Sequence, residues 1–93
     1  MGAGQRQPVT RLSRGLATAI RVQMARRGMD MTKLATTAGL SLPYVSKRLN
    51  GQYVFSVYDV ERVARALDLE PEALMLAAVE EAAMIDADDA PTP

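Results

Sequence analysis

Residues 30–51, DMTKLATTAGLSLPYVSKRLNG, decide the fold, because they read as two short helices hinged at Ala38-Gly39-Leu40. Asp30 has the short acceptor side chain that caps a helix start, which predicts a helix over 31–38 with Leu34 and Ala35 turned to the core. Gly39 supplies the backbone conformation needed to leave that helix sharply, and Leu40 then fills the core at the turn. Ser41 caps the next helix. Leu42 and Pro43 lie in its first turn, where the N–H that proline lacks would have had no intrahelical partner. This helix runs to Leu49 or Asn50, and Gly51 stops it. Val45 and Leu49, four apart, face inward. Leu42, Pro43, Tyr44, Ser46, Lys47, Arg48 and Asn50 are thereby distributed around the outer surface.

The flanks extend the helical pattern. Thr10 caps a first helix over 11–27, with Leu12, Leu16, Ile20 and Met24 spaced four apart as an apolar stripe and Gly28 as its end. Arg14 and Arg21 fall on its polar side, and Arg26 and Arg27 at its C-terminus, where positive charge also suits the macrodipole. After a Gln52-Tyr53-Val54-Phe55 loop, with Phe55 assigned to the core, Ser56 caps a fourth helix. Asp59, three residues on, completes a near capping box, and Val57, Val60, Val63, Ala64 and Leu67 form the buried face. A fifth helix starts at Glu70-Pro71 and continues to about Ile85. Leu74, Ala78 and Ile85 form one apolar line on it, and Met75, Val79 and Ala82 a second that needs a further partner. No stretch alternates with the period of a strand, so the fold class is all-α, with five helices.

The formal charge of zero conceals a polarised chain. Nine of the eleven basic residues and one acid, Asp30, lie in residues 1–58, a net +8; residues 59–93 set Arg62 and Arg65 against ten acids, a net −8. One part suits a polyanion and the other repels it. With no cysteine and no histidine, the chain lacks disulfides, thiolates, the usual zinc ligands and the usual neutral-pH base. This excludes zinc fingers and points away from an enzyme, a metal or a cofactor; no small-molecule site is evident. No apolar run approaches the ~20 residues of a membrane span, and no signal-peptide pattern opens the chain, so a cytoplasmic protein is expected. The organisation reads as a flexible arm over 1–9, a domain over 10–85 and an acidic tail over 86–93. A core of ~75 residues buries only about 60–65% of its unfolded surface, which favours association.

From Ile20 to Leu74 the chain resembles the lambda-repressor-like, or Xre, family of helix-turn-helix proteins. The resemblance is carried by Leu34-Ala35, Ala38-Gly39-Leu40-Ser41, Val45-Ser46, Asn50-Gly51, Ser56-Val57 and Ala64-Arg65-Ala66-Leu67-Asp68-Leu69. It implies a compact bundle of four to five helices, in which the third helix lies in the major groove of double-stranded DNA, the second helix abuts a phosphate, and the following loop touches the backbone. Leu42, Pro43, Tyr44 and Lys47 would then meet bases. Thr32, Lys33, Ser41, Ser46, Arg48, Asn50, Gln52 and Tyr53 would meet backbone, with Arg14 and Arg21 adding charge. Met31 and Leu42 stand where many members carry glutamine, which shifts readout from adenine amide pairing toward thymine methyl contact and a lysine–guanine bond.

The implied function is a sequence-specific transcriptional regulator, a repressor of the size common among phage and mobile elements, binding a two-fold symmetric operator as a homodimer through Met75, Val79 and Ala82. Each feature has a plainer alternative. Arg26 and Arg27 can serve the macrodipole, Tyr44 and Tyr53 can be half-buried amphipaths, and Arg6 of the arm can be solvated rather than inserted in a groove. The acidic residues can be a solubilising tail rather than an internal inhibitor. The rival function is a protein-binding adaptor or antitoxin-like module that uses the apolar fifth helix.

Overall fold

The computed structural model describes residues 8–88, so Arg6 of the arm and most of the acidic tail lie outside the described residues. Five helices follow in order: α1 (Arg11–Arg26), α2 (Met31–Ala38), α3 (Leu42–Leu49), α4 (Val57–Ala66) and α5 (Pro71–Asp88). Four begin at side-chain caps. Thr10, Asp30, Ser41 and Ser56 accept the backbone N–H of Ser13, Lys33, Tyr44 and Asp59 respectively. Ser13 and Asp59 reach back to their caps, closing two capping boxes, the first of which the sequence reading did not include. Gly39 adopts φ 74, and the Leu40 N–H reaches the Ala35 carbonyl at 2.9 Å, so the turn between α2 and α3 closes as a left-handed C-cap.

Ile20, Leu34, Val45, Val63, Leu67 and Leu74 are fully buried and join all five helices in one core. α5 lies along α1 at close range through small residues. A β-carbon on Gly15 would collide with the Ala78 carbonyl oxygen and stand 2.7 Å from the Ala82 nitrogen. Glycine within a helix is unfavourable by ~0.5–1 kcal/mol relative to alanine; here it is what permits the two backbones to approach.

Four expectations are corrected. Leu12 is 41% exposed, because residues four apart advance about 40° per step around a helix and the stripe winds off the face that α5 covers. Val57, in the first turn of α4, is 79% exposed and faces the same open groove as Leu12. Ala82, expected at a dimer interface, is 1% exposed and sealed against Gly15; the line toward α1 is Leu74, Ala78 and Ala82. Finally, α5 continues through residues 86–88, beyond the expected end at Ile85 and into the segment expected as tail. Among the described residues no helix is long and apolar enough to cross a membrane.

Candidate nucleic-acid interface

α3 presents two unlike sides. Val45 and Leu49 are buried, while Leu42, Pro43 and Lys47 are exposed together across its first two turns. Leu42 is 43% exposed and stands beside Lys47 on this side of the helix. Thr32 and Lys33 are exposed in the first turn of the adjoining α2, and Gln52 is exposed just beyond α3.

Other candidates are engaged by the fold. The Tyr44 hydroxyl donates to Asp59 Oδ2 at 2.8 Å, and the residue is only half exposed. Burial first, and then this hydrogen bond to a carboxylate, push its phenol above the ordinary 10.0. Arg48 lies with its guanidinium 3.4 Å from the centre of the Tyr44 ring and 5.3 Å from that of Tyr53, and its Nε is 3.8 Å from Asp59 Oδ2. Its Nη1 donates to the Tyr44 carbonyl at 3.2 Å. Asp59, 2% exposed, therefore serves both α4, whose Ser56 N–H it accepts at 2.9 Å, and α3. Ser56-x-x-Asp59 foretold the cap but not the second role; the i, i+4 pair Tyr44 and Arg48 was the available sign.

Two arginines hold the end of α3 and the turn that leads into it. Arg21 Nη2 donates to the Leu49 carbonyl at 3.1 Å and to Asn50 Oδ1 at 3.2 Å, satisfying a carbonyl left over at the helix end. At the entry, Arg62 Nε donates to the Ala38 carbonyl at 2.7 Å and its Nη1 to the Tyr58 hydroxyl at 2.6 Å. Its guanidinium fills the space a side chain at position 39 would need. Arg62 was absent from the candidates because nothing local links positions 39 and 62.

Arg14, Thr18, Arg21, Asn50 and Gly51 line a shallow cavity of about 200 Å³ where α1 meets the end of α3. Three of the backbone candidates thus converge, although they are up to 36 residues apart in the chain. Ser46 Oγ accepts from the Asn50 amide at 3.4 Å, and Lys47 Nζ lies 5.9 Å from the centre of the half-buried Tyr53 ring. Away from this region, Val57, Val60, Pro71, Met75, Leu76 and Val79 line an apolar groove of about 490 Å³ between α4 and α5.

Comparison with known proteins adds four findings. Residues 15–78 match the family model described as a helix-turn-helix domain. The structure of ClgR, the clp gene regulator of Corynebacterium glutamicum, superposes with a TM-score of 0.78 at 24% identity, over 88% of this chain and 87% of that one. C.AhdI, a restriction-modification controller protein from Aeromonas hydrophila, gives 0.62 at 30% identity over 68% and 94%. Comparison with curated protein sequences gave no match.

Proposed function

Because the chain belongs to the helix-turn-helix domain family, we propose that it is a sequence-specific DNA-binding transcriptional regulator, a repressor acting as a homodimer on a two-fold symmetric operator. The observation that carries this reading is the exposed outer face of α3, Leu42, Pro43 and Lys47, on a helix whose opposite side is anchored in the core. The names of ClgR and C.AhdI, a gene regulator and a controller protein, favour a regulatory role. Occupation of promoter DNA would produce the repression.

In this reading Leu42 and Pro43 meet thymine methyl groups and Lys47 donates to guanine. Thr32, Lys33 and Gln52 meet phosphates, as do Ser41 and Ser46, whose hydroxyls accept within the fold and keep an O–H to donate. Asn50, Tyr53 and the Arg14–Arg21 cavity extend the same backbone track. Affinity then comes mainly from phosphate neutralisation and falls with salt.

Dimerisation is assigned to the apolar groove, with Met75 and Val79 joined by Leu76 and Val57 and with Ala82 removed. Val79→Glu is expected to shift sedimentation toward monomer with helicity unchanged; an unaltered profile removes α5 from the interface. The same groove favours the second reading, an adaptor or antitoxin-like module that holds another protein. Selection of fragments from a random DNA pool separates the two. The regulator enriches an inverted repeat with half-sites about 10 base pairs apart, centre to centre. A pool that stays random defeats the DNA-binding reading.

A further inference from the structure

The α3–α4 junction carries more polar connection than two helix ends require. Asp59 Oδ2 receives the Ser56 N–H at 2.9 Å and the Tyr44 O–H at 2.8 Å, and faces Arg48 Nε at 3.8 Å. Arg48 is pressed against the Tyr44 ring, with the Tyr53 ring also close, and its Nε is sealed from solvent without a hydrogen-bond partner. A cation reaching for phosphate would not be packed this way; arginine stacked on aromatic rings beside a buried carboxylate is held in place by them.

The apolar anchors of α3, Val45 and Leu49, lie along one line of that helix. Such contacts resist its withdrawal from the core more than its rotation about its own axis, since dispersion and hydrophobic burial have no preferred direction. Hydrogen bonds do have one. A turn of about 20° would sweep a side-chain tip lying roughly 5–6 Å from the axis through about 2 Å. That is enough to break a contact to a base edge, where binding groups must be held within ~10–20°.

We propose that Tyr44, Arg48 and Asp59 are positioning residues that set the rotation of α3, and hence the aim of Leu42, Pro43 and Lys47, rather than contacts to DNA. The inference rests on the DNA-reading function proposed above. It assigns to sequence discrimination three residues that need touch neither base nor phosphate.

The test uses the full chain, the best duplex recovered from a random pool, and an unrelated duplex of equal length. Tyr44→Phe keeps the ring and removes the hydroxyl. Affinity for the selected duplex is expected to fall roughly three- to tenfold, in line with loss of one hydrogen bond, while affinity for the unrelated duplex and the salt slope stay unchanged. Preference should flatten at several base positions together. Arg48→Lys keeps the charge but loses the planar stack, and should reproduce the loss at an unchanged salt slope. A loss confined to one base position for Tyr44→Phe makes that hydroxyl a direct reader and overturns the proposal. So does full retention of selectivity in both variants, or a salt slope lower by ~1 in a separate Arg48→Gln variant, the mark of a phosphate contact. If the unaltered chain selects no duplex, the DNA-binding reading itself fails, an outcome distinct from these.

Discussion

The α1–α5 seam and the α3–α4 junction hold the molecule by opposite means. At the seam, Gly15, Ala78 and Ala82 bring two backbones together by offering almost no side chain. At the junction, the Tyr44 O–H and the Ser56 N–H converge on Asp59 through directional hydrogen bonds, with the Arg48 guanidinium stacked alongside as an ion-pair partner. The seam is sensitive to an added side chain, the junction to a removed polar group. The contrast follows the proposed division of labour, with α1 and α5 forming the frame and α3 the part that must be aimed.

The most damaging single change predicted by this contrast is Asp59→Ala. It leaves the Ser56 N–H and the Tyr44 hydroxyl without their acceptor and a mostly buried guanidinium without its carboxylate. A loss of about 3 kcal/mol in urea unfolding is expected, the lower end for breaking a buried pair because Arg48 retains 17% exposure. A loss below ~1 kcal/mol would mean that water replaces the carboxylate and that the junction is not held by directional bonds. Gly15→Ala makes the converse test by adding one methyl group at the seam. Although alanine favours helix, overpacking against the backbone of α5 should destabilise the domain by roughly 1–3 kcal/mol. A rise in Tm would show that the helices can part without penalty.

Two lysines sharpen the contrast on the side of function. Lys47→Ala is expected to weaken the selected duplex by ~1–3 kcal/mol and to relax preference at one base position. Lys33→Ala, in the first turn of α2, should weaken all duplexes alike and reduce the salt slope by ~1. Equal losses of Lys47→Ala on selected and unrelated DNA would move Lys47 from reader to backbone contact.

The sequence-readable parts of the molecule are those determined within one helical turn. Thr10, Asp30, Ser41 and Ser56 mark helix starts because a cap acts on an N–H three residues away, and Gly39 marks a stop because its own φ decides it. Burial was less legible. The stripe that included Leu12 and the face that included Val57 were correct in period but extend past the neighbouring helices, whose lengths and crossing are not local properties. Ala82 was assigned outward because the approach of α1 depends on Gly15, 67 positions earlier. In the candidate site, the exposed trio on α3 follows from helical geometry. The engagements of Tyr44 with Asp59, Arg21 with Leu49 and Arg62 with Ala38 join residues 15 to 28 apart and required the folded chain.

The smallest effect expected is a dependence of stability on alkaline pH that isolates the polar junction from the apolar seam. Burial, reinforced by the hydrogen bond to Asp59, raises the Tyr44 pKa in the folded state. The native protein then holds that proton more tightly than the unfolded chain does. The resulting stabilisation is complete below the unfolded value of about 10 and is lost as pH rises through the higher folded value. Deprotonation would also place a phenolate against a carboxylate, so the bond that orients α3 turns into a repulsion. The parent and Tyr44→Phe differ only in the Tyr44 hydroxyl, so the difference between the two isolates its contribution. Chemical denaturation between about pH 8 and 11 should therefore show the parent's advantage over Tyr44→Phe shrinking with rising pH. Gly15→Ala, whose change lies at the seam, should stay parallel to the parent across the same range. A parent and Tyr44→Phe that remain parallel would mean that the Tyr44 hydroxyl is not held by Asp59 in solution, and the angular restraint on α3 would have to come from packing alone.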